Sequence, residues 1–240
     1  MFLDFDDTLY DTRGNAIIAQ KELYDGLKFK EHFVDEQTFY DIYWKTNVEL
    51  WAKYSHGEIE REYLIVERFR RPLAAAQGAG TYAGMAADDS WPSPEYCLKV
   101  SDRFLDLCSV KPGVVDGAHE LMDYLRSRGY RCHICSNGFH EVQYKKLRAS
   151  GLLEYFDTII LSEDAGVNKP QRAFFDYALR TSGAKAETTL MIGDNYNTDI
   201  IGAMGAGIDT MLFNRWDASF VPPQPVNYTV NTLREIMTIL

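Results

Sequence analysis

The sequence predicts an α/β fold: a Rossmann-like, three-layer core around a parallel sheet, interrupted near its start by an inserted α-helical domain. Three observations predict it. From Pro112 onward, short apolar runs alternate with helix-like segments, the pattern of a parallel sheet covered on both faces. The chain opens on the apolar Met1-Phe2-Leu3 and then breaks into charge at Asp4-Phe5-Asp6-Asp7-Thr8, with no strand partner nearby in sequence. Between these two regions, residues 14–108 carry apolar side chains at three- and four-residue spacing, as amphipathic helices do.

Taken in order, the strand at residues 1–5 joins the later sheet most simply as a central member. Its approach to the aspartates is short for such a strand, which points to a natural chain that begins earlier. Helical periodicity then runs over Ala16 to Phe29, Asp35 to Tyr54 and Ile59 to Leu73, and the Gly-, Ala-, Ser- and Pro-rich stretch Gly78 to Pro94 reads as a long loop between helices of the insertion. Past the insertion, a helix over Val114 to Arg128 leads to a strand at Tyr130 to Cys135, and a helix over Glu141 to Ser150 leads to a strand at Asp157 to Leu161. A helix over Gln171 to Ser182 precedes the strand Thr188 to Ile192. A short helix over Asp199 to Ala206, the strand Asp209 to Phe213 and a terminal helix capped by Asn231 complete the chain. The domain division expected is residues 1–13 and 109–240 for the core, with 14–108 inserted.

Composition narrows the function classes. The 25 basic against 35 acidic residues give a net charge of −10, unlike the clustered Lys and Arg that a nucleic-acid polymer demands. No stretch approaches the roughly 20 apolar residues of a membrane span, and no basic-then-apolar leader opens the chain, so a cytoplasmic protein without a membrane partner is expected. Nothing in the pattern specifies an oligomeric state. The four cysteines, Cys97, Cys108, Cys132 and Cys135, have no disulfide-framework spacing. Cys132 and Cys135 offer a superficial metal motif, but residues three apart on a strand face opposite sides, so both read as core cysteines.

The chemistry gathers at predicted strand ends, where α/β enzymes bind ligands. Asp4 and Asp6 are two apart and point to the same side of extended backbone, a costly pairing unless a cation sits beside them. Asp194, on the loop after another strand, adds a third carboxylate, and an all-oxygen acidic site suits Mg²⁺. A carboxylate that attacks a phosphate meets repulsion between anions, which Mg²⁺ and Lys169 would offset. Lys169 lies in Gly166-Val167-Asn168-Lys169-Pro170, with Pro170 expected at the start of the next helix. Ser136-Asn137-Gly138 offers a hydroxyl and loop amides for a phosphate near a helix N-terminus. Asp199, at a helix start, reads either as an N-cap or as a group that orients Lys169 or metal-bound water.

These residues resemble the four motifs of the haloacid dehalogenase superfamily: DxDxT at Asp4 to Thr8, the strand-terminal Ser136, Lys169, and GDxxxxD from Gly193 to Asp199. The helical insertion directly after the first motif is similar to the type-one cap of its subfamily I. The resemblance implies a phosphatase in which Asp4 forms an aspartyl-phosphate while Asp6 protonates the leaving oxygen and then activates water. It implies Mg²⁺ on Asp4, the Asp6 main-chain carbonyl and Asp194, with Ser136 and Lys169 on the phosphoryl oxygens and Thr8 shaping the turn. The acid at Asp6 argues against haloalkanoate dehalogenases and transport ATPases, which lack one there. A phosphomutase or pyrophosphatase of the same superfamily, or an idle partner-binding relative, is the alternative.

More narrowly, Leu50 to Ile59 together with Ser136-Asn137-Gly138-Phe139 and Gly166 to Pro170 resemble the pyrimidine 5′-nucleotidase-like branch. That implies a small phosphorylated metabolite, a nucleoside 5′-monophosphate, as substrate. Trp51, Tyr54 and His56 are then candidates for contacting base or sugar, with packing between cap helices as the other reading of Trp51.

Overall fold

Six parallel strands form one sheet in the order β3-β2-β1-β4-β5-β6: β1 (Phe2–Leu3), β2 (His133–Ser136), β3 (Thr158–Leu161), β4 (Leu190–Gly193), β5 (Asp209–Phe213) and β6 (Tyr228–Val230). The structure is a computed structural model that describes residues 1–27, 29–31, 33–78, 92–217 and 219–240. The chain order reverses on either side of β1, so the sheet is doubly wound and its crevice opens at the carboxyl ends of β1 and β4. β1 pairs with both neighbours, Phe2 with His133 and Met191, Leu3 with Ile134 and Ile192. The short opening segment is therefore the central strand.

Period-two alternation explains the two buried layers. Leu3, Ile134 and Ile192 face one side, where they pack against Leu121 and Leu125 of α5 (Ala118–Ser127), Leu147 of α6 (His140–Ala149) and Ile236 of α10 (Leu233–Ile239). Their chain neighbours Phe2, Cys135 and Met191 face the other side, against Phe174 and Phe175 of α8 (Arg172–Ser182) and Ala203 of α9 (Ile201–Gly205). Cys132 and Cys135 accordingly lie in different layers, both buried and free.

Residues 1–13 and 112–240 form one unit, and residues 14–111 form a second. The second unit comprises most of α1 (Thr12–Gly26) with α2 (Glu36–Ser55), α3 (Arg61–Gly78) and α4 (Pro94–Cys108). Its core uses helical spacing: Ala16, Ala19 and Leu23; Phe39 and Tyr43; Phe69, Leu73 and Ala76; Cys97, Val100 and Phe104. Among the described residues, no helix is long and apolar enough to cross a membrane.

Three readings need correction. The loop predicted from Gly78 to Pro94 falls largely on residues 79–91, outside the described residues, and is followed by the helix α4, for which the sequence reading gave no bounds. Ser93 caps α4 by accepting from the Tyr96 N–H at 3.2 Å, with Pro94 in its first turn. The edge strand β6 was likewise missed. The terminal helix is capped by Thr232, not Asn231: Thr232 Oγ1 accepts from the Glu235 N–H at 3.3 Å, and the Glu235 carboxylate reaches back to the Asn231 N–H at 3.0 Å.

Candidate active site

The segment after β1 turns sharply. The Leu9 and Tyr10 N–H groups both donate to the Phe5 carbonyl, at 3.0 and 2.9 Å, and Asp7 takes a φ of 60°, a left-handed value that Asp tolerates better than most residues. The Asp4 N–H donates to the Ile192 carbonyl at 2.9 Å, which pins the first aspartate to β4. Thr8, fully buried, closes the turn. Its hydroxyl lies 3.1 Å from Asp4 Oδ2 and 3.3 Å from Asp194 Oδ1, and its oxygen accepts from the Asp194 N–H at 3.1 Å.

Lys169 is 2 % exposed, and its ammonium has three acceptors: Asp4 Oδ1 at 2.7 Å, Asp199 Oδ1 at 2.6 Å and the Cys135 carbonyl at 2.6 Å. Three donors meet three acceptors, so the ammonium has a fixed direction. Burial opposes its charge, but Asp199 and Asp4 outweigh burial and hold it above its ordinary range. Its main chain is clamped as well, since the Asn137 carboxamide accepts from the Lys169 N–H at 2.8 Å and donates to the Lys169 carbonyl at 2.9 Å. Asn137, read as a phosphate contact, thus gives its side chain to Lys169. Pro170 follows a cis peptide and precedes the N-cap Gln171 of α8, so it does not start the helix as expected.

Asp199 is 1 % exposed and accepts from the Lys169 ammonium and, through Oδ2, from the Asn195 N–H at 3.1 Å. The cap of the π-helical turn Tyr196–Ile200 is Asn195, whose Oδ1 accepts from the Asn197 and Thr198 N–H groups. Of the two readings for Asp199, the geometry shows the contact with Lys169.

Oxygens of Asp4, Asp194 and Asp199 lie within 4.8 Å of one another. Burial, with Asp199 and Asp6 nearby, pushes Asp4 up to about 7 against the pull of Lys169. Burial and the charges of Asp4 and Asp199 raise Asp194 well above the carboxylate range. One ammonium among three crowded carboxylates leaves a deficit of positive charge. Asp199 is taken up by Lys169 and the Asn195 N–H, so Asp4 and Asp194 are the hard oxygen donors that fit a divalent cation here.

Asp6 sits in a different environment. Its Oδ1 accepts from Thr12 Oγ1 at 2.6 Å and from the Lys146 ammonium at 2.5 Å; its Oδ2 accepts from Gln143 Nε2 at 2.5 Å. Burial pushes this carboxyl up, but Lys146 and the hydrogen bonds from Lys146, Thr12 and Gln143 outweigh it and hold Asp6 below its ordinary range. Two carboxylates on one turn are thus pushed in opposite directions by their surroundings. Lys146 is 7 % exposed, with its ammonium 5.2 Å from the centre of the Tyr10 ring. Thr12, Gln143 and Lys146 escaped the sequence reading. Two buried polar side chains three apart on α6 were the one available signal.

Ser136 ends β2, and its Oγ accepts from the Gly138 N–H at 3.0 Å and from Gln143 Nε2 at 2.7 Å. In the helical unit, Trp51 and Tyr54 are half-buried with their rings edge to face at 5.6 Å. His56 is the exposed C-cap of α2, its Nδ1 2.8 Å from the Ala52 carbonyl.

A doubly wound sheet that carries crowded carboxylates, a buried ammonium and a strand-end hydroxyl at its crevice is that of an α/β enzyme. The chain belongs to the haloacid dehalogenase-like hydrolase family, whose sequence profile matches residues 1–207. It is 31% identical over 242 residues to the HAD-hydrolase YfnB of Bacillus subtilis, covering 100% of this chain and 94% of that one. A crystal structure of YfnB bound to magnesium superposes with a TM-score of 0.82 at 28% identity, covering 100% of this chain and 96% of that one. The pyrimidine 5′-nucleotidase PynA of Streptococcus pneumoniae is 31% identical over 89% of this chain and 83% of its own length. The glyceraldehyde 3-phosphate phosphatase of Methanothermobacter thermautotrophicus is 29% identical over 89% of this chain and 84% of its own.

Proposed function

We propose that the protein is a Mg²⁺-dependent phosphomonoester hydrolase that forms an aspartyl-phosphate on Asp4 and takes a nucleoside 5′-monophosphate as substrate. The observation that carries the reading is the contrast between the two aspartates of one turn: Asp4 faces Lys169 and Asp194, while Asp6 is held apart by Lys146, Thr12 and Gln143.

In this reading an Asp4 oxygen attacks phosphorus and the ester oxygen leaves with a proton from Asp6. Asp6 then takes a proton from water as that water attacks the acyl phosphate, freeing inorganic phosphate and restoring the Asp4 carboxylate. Lys169, turning the donor it gives Asp4 toward the incoming phosphoryl group, and the Ser136 hydroxyl hold the equatorial oxygens, and Asn137 and Asp199 keep Lys169 aimed. Asp4, the Asp6 carbonyl and Asp194 would hold Mg²⁺, which supplies the positive charge that offsets repulsion between carboxylate and phosphate. The magnesium-bound YfnB and the nucleotidase PynA support the cofactor and the substrate class. Trp51, Tyr54 and His56 are the residues proposed to recognise the base and sugar.

The test is phosphate release with Mg²⁺ from 4-nitrophenyl phosphate and from a panel that includes pyrimidine nucleoside monophosphates and triose phosphates. Wild type is expected to release phosphate and Asp4→Asn to release none. Undiminished turnover by Asp4→Asn removes Asp4 from its role, and a preference for triose phosphate over every nucleotide overturns the substrate class.

A further inference from the structure

Asp6 stands on the loop after β1 and Ser136 at the end of β2, and one side chain spans them. Gln143 is fully buried on α6, and its amide nitrogen donates both to Asp6 Oδ2, at 2.5 Å, and to Ser136 Oγ, at 2.7 Å. The carboxylate decides which way round the amide sits, because the reverse would set Gln143 Oε1 against an anion. That orientation leaves Oε1 buried without a hydrogen-bond partner, at a cost to stability that packing does not explain. The backbone opposite is shaped to admit the amide. A Cβ on Gly138 would lie 1.9 Å from Gln143 Nε2 and 2.5 Å from its Cδ, so only glycine leaves the space.

Ser136 Oγ accepts a second hydrogen bond, from the Gly138 N–H at 3.0 Å. A hydroxyl oxygen has two lone pairs, and two donors fill them. The Ser136 proton must then be given to something else. We propose that Gln143 is a positioning residue: it makes Ser136 an obligate donor to the phosphoryl group and ties that hydroxyl to the carboxylate of Asp6, so the phosphate contact and the acid/base group are set in one register. This rests on the phosphatase reading above. Gln143 itself touches no reacting atom, and it acts through Ser136 and Asp6.

The experiment is steady-state hydrolysis of 4-nitrophenyl phosphate with Mg²⁺ by wild type, Gln143→Met, Gln143→Glu, Ser136→Ala and the Ser136→Ala/Gln143→Met double variant. Gln143→Met is expected to lower kcat/KM by about 10- to 100-fold, with part of the loss in KM through Ser136 and part in kcat through Asp6. Gln143→Glu, although closer in shape, is expected to be worse, because it cannot donate to Ser136 and repels Asp6. In the Ser136→Ala background the KM part of the Gln143→Met effect should vanish, leaving the two losses well short of multiplicative. A residue that only fills space would give the opposite order, Glu milder than Met, with losses that multiply, and that result overturns the inference. Gly138→Ala displaces Gln143 without altering it and should reproduce the defect of Gln143→Met; wild-type kinetics there, or in a folded Gln143→Met, also overturn the inference. A wild type that fails to turn over defeats the phosphatase reading itself, whereas an active wild type matched by Gln143→Met defeats only this inference.

Discussion

Replacing Lys169 with Met keeps the length of the side chain and removes its charge, which exposes how much the site depends on one ammonium. The structure sets the magnitude. Lys169 Nζ is the shared partner of Asp4, at 2.7 Å, and Asp199, at 2.6 Å, and both carboxylates are nine-tenths or more buried. Removing one partner of a buried ion pair costs about 3–5 kcal/mol, because the remaining charge has neither water nor counter-ion. At roughly 2–4 °C per kcal/mol for a chain of this size, the transition of the unit formed by residues 1–13 and 112–240 should fall by roughly 6–20 °C. Removing a charged donor aimed at a developing phosphoryl charge should lower kcat by about 10²–10³-fold. Lys169→Arg is expected to fail almost as badly, since a planar guanidinium does not fit a position sealed on three sides by Asp4, Asp199 and the Cys135 carbonyl. Calorimetry in chelator and in Mg²⁺, with turnover on 4-nitrophenyl phosphate, reads both effects. A melting temperature within about 2 °C of wild type, or turnover within about threefold, would refute the argument from burial and from charge respectively.

Two further outcomes follow from the core. His133 is buried, its Nδ1 lacks a partner, and burial with the neighbouring terminal ammonium depresses it from 6.5 to about 4. The folded chain therefore binds fewer protons than the unfolded one between these values, so stability is complete above pH 6.5 and falls by up to about 3 kcal/mol as pH drops toward 4. Melting temperature against pH should be correspondingly flatter in His133→Leu, and parallel curves would refute the assignment. In Gly202→Ala the new Cβ would lie 2.3 Å from Phe175 Cε2 and 2.9 Å from the Pro170 Cα, and backbone cannot yield as a side-chain tip does. A loss of about 1–3 kcal/mol in denaturant unfolding is expected, and an unchanged midpoint would show that α8 and α9 can part freely.

What could be read in the sequence was local or periodic. Phe2 and Leu3 could be placed in a central strand because an apolar run ending in Asp4 with no strand partner nearby in sequence most simply joins the later sheet, and the sheet pairs it on both sides. The helical insertion was readable from spacing, yet the helix after its loop was given no bounds although Ser93-Pro94 is a helix-start signal. β6 is only three residues long and follows a segment rich in Pro, so its pairing with β5 left no periodic trace. The Thr232 cap was legible as a Thr-x-x-Glu box and was misplaced by one residue. The partners of Asp6 were not legible, because Gln143 and Lys146 lie 137 and 140 residues away in sequence. A contact of that separation is created by the fold, and only the oddity of polar side chains on the buried face of α6 announces it.

The same distinction explains why chemistry is easier to read here than substrate. A phosphoryl group has fixed charge and nearly fixed shape, so any chain that transfers it through a carboxylate needs positive charge, an acid and hydroxyl or amide donors within a few ångström of that carboxylate. In this chain Asp4, Asp6, Ser136, Lys169 and Asp194 all come from residues 1–13 and 112–240, at strand ends or on the loops after them, held by main-chain bonds such as Asp4 N–H to Ile192 O. The constraint is strict, and few residue types satisfy it. A leaving group imposes no comparable rule: apolar fit excludes a wrong ester by about one or two powers of ten and hydrogen bonding by more, and many side chains supply either. Aromatic side chains can serve helix packing or base stacking by the same kind of contact, so the edge-to-face pair Trp51 and Tyr54 carries no mark of a particular substrate. The nucleotide assignment therefore rests on relatives and is tested by the metabolite panel, whereas the role of Asp4 stands or falls on a single substitution.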